Sequence, residues 1–193
     1  MVNVKRHQKW LLAGGCFLGL AILAVLFALQ LGRQQVRAGS NENNSGWAWS
    51  QNTGWWSFNN ATAGGSVNYG VHLDSISKEF SGYVWSQNIG YITFNESELA
   101  GCPSAPCRAR YNQANGQVDG WARACSVFGS GCSGALKPNS QRGGWLGWIK
   151  LRGQATDGSV YGASLNLVTR RLEGWAWGEA AKIVILARLL LAG

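Results

Sequence analysis

An internal repeat restricts the fold of this chain more than any other feature. GWAWSQNTGWWSFN (Gly46 to Asn59) recurs as GYVWSQNIGYITFN (Gly82 to Asn95), 36 residues further on and without a gap. A third copy is split into GWARA (Gly120 to Ala124) and GWLGWIKL (Gly144 to Leu151) around a Cys- and Gly-rich insertion, and a fourth opens at GWAWGE (Gly174 to Glu179). YGVHL (Tyr69 to Leu73) and YGASL (Tyr161 to Leu165) each precede a turn and a Trp motif, so the unit reads as three short strands. Units that cannot hide an apolar face alone must pack on their neighbours.

Each full motif has the pattern of a β-hairpin: alternating residues, a polar turn, then alternating residues again. Counting the turn as four residues, Gln51 to Gly54 or Gln87 to Gly90, predicts that Trp49 faces Trp56 and Trp47 faces Phe58. The equivalents in the second copy are Trp85 with Ile92 and Tyr83 with Phe94. Directly opposed residues share a face. The tryptophans are therefore expected mostly in the core, with Ala48, Ser50, Trp55 and Ser57 on the other side. Only 13% of the residues are charged, and 27 glycines and 11 tryptophans suit strands and tight turns. The expected fold class is all-β, built from antiparallel hairpins as a sandwich or barrel-like domain of about ten strands. A small β-propeller is the alternative, disfavoured because the copies lack the fourth strand of a blade.

Ahead of the repeats, WLLAGGCFLGLAILAVLFALQL (Trp10 to Leu31) carries no charge. It is long enough to cross a hydrocarbon core of ~30 Å as a helix. Lys5, Arg6 and Lys9 precede it, which keeps the N-terminus in the cytoplasm and sends the repeats outside. The predicted organisation is a basic cytoplasmic tail at 1–9, a transmembrane helix or uncleaved signal anchor at 10–32 and a linker at 33–45. A Trp-rich ectodomain follows at 46–179 and an atypical apolar tail at 180–193. Val36-Arg37-Ala38 has the small-residue form of a cleavage site, so secretion after cleavage at Ala38 is the alternative; an apolar run longer than the usual ~7–15 residues favours the anchor. Cys16 is read as a membrane cysteine.

The net charge of +8 is carried largely by Lys5, Arg6, Lys9, Arg33 and Arg37 around that segment. Arg108, Arg110, Arg123, Arg170 and Arg171 are scattered, without a nucleic-acid motif, and are read as solvated. No nucleic-acid partner is expected. In the exported part, Cys102, Cys107, Cys125 and Cys132 imply two disulfides, with three connectivities open. The two local pairs are preferred because each closes a turn-rich loop. Zinc is the alternative, against which the spacing and the lack of a nearby histidine both count.

Nine carboxylates and His72 make up the remaining acid–base chemistry of that part. Glu96 and Glu98 are the only pair close enough to suggest glycoside hydrolysis or calcium binding, and no further carboxylate converges on them. Nucleophile elbows, HExxH, phosphate loops and dinucleotide fingerprints are missing. No catalytic residue, cofactor or metal is assigned. Trp55, Tyr91 and Trp148 hold the same place in three copies, opposite the expected core set, and are the candidate ligand-stacking residues.

At its motifs the sequence resembles a set of tryptophan-repeat exported proteins of small-genome candidate-phyla bacteria. The likeness continues through CPSAPCRARYNQANGQVDGWARA (Cys102 to Ala124), GGWLGWIKLRG (Gly143 to Gly153) and DGSVYGAS (Asp157 to Ser164), and covers roughly Gly46 to Trp177. It implies a surface location and no reaction. The pattern departs after Trp177, where AAKIVILARLLLAG replaces the second motif strand. A shifted reading frame is one hypothesis for this, which an intact frame at the locus would remove. The expected function is a non-enzymatic surface structural or adhesive protein, held to the membrane by Trp10 to Leu31, with glycans or other surface proteins as partners. A carbohydrate-binding module is the alternative.

Overall fold

The computed structural model describes residues 44–60 and 67–178, and the backbone of a final strand at 181–189. The expected basic tail, membrane segment and Ala38 lie outside the described residues. Among the described residues the chain is antiparallel β-structure with very little helix, in thirteen strands: β1 (Asn44–Ser50), β2 (Gly54–Ser57), β3 (Val71–Leu73), β4 (Phe80–Ser86), β5 (Gly90–Thr93), β6 (Arg110–Tyr111), β7 (Gln117–Asp119), β8 (Trp121–Ala124), β9 (Trp148–Lys150), β10 (Arg152–Gln154), β11 (Val160–Asn166), β12 (Arg171–Gly178) and β13 (Ala181–Leu189). The all-β expectation holds.

The motif hairpins are β1–β2, β4–β5 and β8–β9, with the insertion of the third copy forming the β8–β9 connection. Their ladders run β1-β2-β4-β5-β8-β9-β12. β13 then pairs with β12 on one edge and β1 on the other, so the path of pairings returns to its start. The apolar tail that departs from the motif thus supplies a strand. Backbone hydrogen bonds from two neighbours do not require the motif's side chains.

The predicted register is corrected by one residue. Ser50 pairs with Gly54, Trp49 with Trp55, Ala48 with Trp56 and Trp47 with Ser57; the second copy matches, with Trp85 on Tyr91 and Val84 on Ile92. Each turn has three residues, because the glycine counted as its fourth already belongs to the second strand in a left-handed conformation, φ +72° at Gly54 and +69° at Gly90. The slip turns over the side chains of the first strand of each hairpin and leaves Trp56, Phe58, Ile92 and Phe94 of the second strands in the core where they were expected. Trp47, Trp49 and Trp85 therefore lie outside and Ala48, Trp56, Val84 and Ile92 inside. The motif serine secures the turn: Ser50 Oγ accepts from the backbone N–H groups of Asn52 and Thr53, and Ser86 Oγ from that of Asn88.

The core collects one small or branched residue from each copy, Ala48, Val84, Ala122 and Ala176, with Ile92, Ile149 and the rings of Phe58, Phe80 and Phe94. Of the motif tryptophans, Trp56 belongs to this core, and its Nε1 donates to Thr53 Oγ1 at 2.9 Å. The leading glycine of each motif marks where its strand changes partner. Gly82 (φ +89°), Gly120 (+108°) and Gly174 (+118°) each lie against a carbonyl twelve residues earlier, where an added Cβ would come within 2.1–2.2 Å of the oxygen of Gly70, Arg108 or Gly162. Below Gly82, β4 pairs with β3; above it, with β2. Below Gly174, β12 pairs with β11; above it, with β9. Such bulges bend strands and bring backbones close.

Candidate functional site: the outer aromatic face

The corrected register places the motif aromatics on the outer side of the strands. Trp47, Trp49, Trp55, Trp85, Trp175 and Trp177 are 37–60% exposed, with Trp55 the most open. They come from the first, second and fourth copies. Trp47 meets Trp55 edge-on at 6.3 Å between centroids and 81° between planes, and Trp177 packs on Tyr161 at 6.2 Å. The backbone of β13 runs between β1, which carries Trp47 and Trp49, and β12, which carries Trp175 and Trp177: Val184 is the register partner of both Trp49 and Trp175.

The three stacking candidates, Trp55, Tyr91 and Trp148, do share one register position, opposite Trp49, Trp85 and Arg123 respectively. They do not share an environment. Trp55 is exposed. Tyr91 is half-buried among Tyr69, Tyr83 and Trp85, whose ring centroids lie 6.0, 5.7 and 4.7 Å away. Trp148 is buried, 4% exposed. An exposed row through all three is corrected accordingly.

The third copy is covered by its own loops. Trp148 packs edge-on against Trp121 at 5.9 Å, and Leu99 and Cys102 close over them. The carbonyl of Ser104 accepts from Trp121 Nε1 at 2.7 Å, while Lys150 donates to Ser104 Oγ and stands 4.8 Å from the Trp121 ring centre. Arg123 lies between two rings, 4.0 Å from the centroid of Trp148 and 4.6 Å from that of Phe128 in the insertion. Both covering loops are closed by disulfides, Cys102–Cys107 and Cys125–Cys132, with Cα separations of 5.5 and 4.2 Å. These are the local pairs, and the four sulfurs are bonded to one another rather than gathered at one point.

The carboxylates take separate local tasks. Glu98 accepts from the hydroxyls of Tyr83 and Thr93 and the amide of Asn95, whereas Glu96 pairs with Arg108, which also binds Glu79. Burial, then Glu98 beside it, pushes the Tyr83 hydroxyl above its ordinary pKa. Asp119 accepts from the N–H of Gly120, and Asp157 from the backbone and hydroxyl of Ser159. Glu96 and Glu98 thus point to different partners. Among the described residues no group of three His, Cys, Asp or Glu side chains is placed to hold a metal ion.

Sequence reasoning missed Trp47, Trp49, Trp85, Trp175 and Trp177 as surface residues. The signal was present in the small aliphatic residue between the flanking positions of every copy, at Ala48, Val84, Ala122 and Ala176. A recurrent small residue suits a crowded interior, and recurrent large rings around it then lie outside. No protein-family model, no curated protein and no solved structure matches this chain.

Proposed function

We propose that this is a non-enzymatic cell-surface contact protein of structural or adhesive type, whose β-repeat domain is barrel-like and engages its partner through the outer aromatic face. The observation that carries this reading is that six tryptophans of three copies remain 37–60% exposed while the same positions in the third copy are covered. Exposed apolar surface of this kind marks sites of contact. Anchoring by Trp10 to Leu31 with the repeats outside the cytoplasm belongs to the proposal. It is supported by the charge asymmetry around that segment and by two disulfides, which persist in oxidising compartments. Kinship with the tryptophan-repeat exported proteins rests on the motifs alone. External protease added to intact cells should remove the repeats; full protection would refute the location.

A carbohydrate-binding module is the second reading, favoured by Trp55, whose ring is 60% exposed and contacted edge-on by Trp47. Ring faces of this kind stack on saccharides. Glycan-array binding by the detergent-solubilised full chain, lost in Trp55→Ala and retained in Trp148→Phe, would select this module. A folded sample that binds surface proteins and no glycan would select adhesion.

A further inference from the structure

A cleft of about 610 Å³ is lined by side chains unlike those of the aromatic face: Lys78, Arg110, Arg152, Asp119, Gln113 and Gln117. Three cations and one carboxylate line it, with amide side chains beside them. Arg110 stands opposite Asp119 in the β6–β7 register, yet the two form no ion pair among the described residues. With three cations against one carboxylate the cleft's balance is positive, which favours an anion.

Arg152 is held in place by the backbone. It pairs with Gly162 across β10–β11, and its guanidinium lies over that glycine, where an added Cβ would come within 2.4 Å of Cζ. One Nη donates to the carbonyl of Ala163, and Nε is buried with no hydrogen-bond partner in the protein. The pairing is reciprocal, since Tyr161 covers Gly153 in the same way. Lys78 has a left-handed backbone, φ +64°; its carbonyl accepts from the N–H of Tyr111 at 2.8 Å, and its ammonium donates to the Ser75 carbonyl of its own turn. Two of the three cations thus line the cleft from constrained positions, each with one donor already engaged by a backbone carbonyl.

We infer that this cleft binds a sugar acid. Arg110, Arg152 and Lys78 meet the carboxylate, and Asp119, Gln113 and Gln117 hydrogen-bond the hydroxyls. The volume admits a monosaccharide with its water. A carboxylate is the natural partner of a planar guanidinium, and amide side chains both donate and accept as hydroxyls require. A small inorganic anion would use the cations and leave the amides idle. This site is separate from the tryptophans and stands whether or not they bind anything.

The test is calorimetric titration of the full chain in non-ionic detergent with glucuronate, glucose and inorganic phosphate. Glucuronate is expected to bind, and Arg110→Gln and Lys78→Asn each to weaken it by about tenfold or more, the scale of a lost charged hydrogen bond. Asn keeps the left-handed backbone at residue 78. Arg171→Gln, which removes the same charge outside the cleft, should change nothing. Equal binding of glucose, equal binding of phosphate, no binding of glucuronate, or an undiminished affinity in both cleft variants would each overturn the inference.

Discussion

Trp55 and Trp148 occupy the same register position in two hairpins of one sheet, and they meet different surroundings. Around Trp148, one disulfide loop brings Cys102 and Ser104 over Trp121, and another brings Phe128 against Arg123. Around Trp55 the connection is a three-residue turn, and the ring stays in water. A tryptophan carries roughly 200 Å² of surface, whose full burial is worth about 5 kcal/mol as an upper estimate. The first, second and fourth copies forgo much of that gain. The third copy shows that the fold can cover these positions when loop is supplied, so strand geometry is not what leaves the others open among the described residues.

The strongest way to break the comparison is to remove the register both regions share. Gly82→Ala would place a methyl 2.1 Å from the Gly70 carbonyl at φ +89°, and should destabilise the domain by about 3 kcal/mol or more, read by urea unfolding. Next in size is truncation on each side of the comparison. Trp148→Ala should cost about 3–5 kcal/mol through cavity formation, whereas Trp55→Ala should stay within about 1 kcal/mol. Equal costs would mean that the two positions are not differently buried.

Opening the cover sharpens the contrast. Cys102→Ser with Cys107→Ser releases a short loop and should cost about 2 kcal/mol; acrylamide should then quench Trp121 and Trp148 more strongly while leaving Trp55 unchanged. The smallest expected effect is at Lys150. Replacing it with Gln removes its contact with the Trp121 ring and should cost about 0.5–1 kcal/mol in thermal unfolding.

Much of the fold was legible in the repeat. The glycines, the polar turns and the alternation identified hairpins, and Gly46 with Gly82 set the 36-residue period. The split third copy was recognisable because GWARA and GWLGWIKL keep the two strand patterns, and its halves pair as β8 and β9. What the sequence hid was the count of turn residues. Gln51 to Gly54 reads equally well as a four-residue loop or as three residues and a left-handed glycine, and that single choice turned Trp47, Trp49 and Trp85 outward. The cleft at Lys78, Arg110 and Arg152 was illegible for a different reason: its residues lie on segments far apart in the chain and follow no repeat. Strand β13 was ambiguous because its sequence carries no motif, and its identity comes from two neighbouring edges that need a partner.

The most direct test is fluorine NMR of the full chain labelled with 5-fluorotryptophan, assigned by single substitutions and read as the solvent isotope shift between H₂O and D₂O. Trp47, Trp49, Trp55, Trp85, Trp175 and Trp177 should show the shift of water-exposed rings, while Trp56, Trp121 and Trp148 should show little. Protection of Trp47 and Trp49 together with Trp56, with Trp55 left exposed, would restore the alternative register and contradict the outer aromatic face.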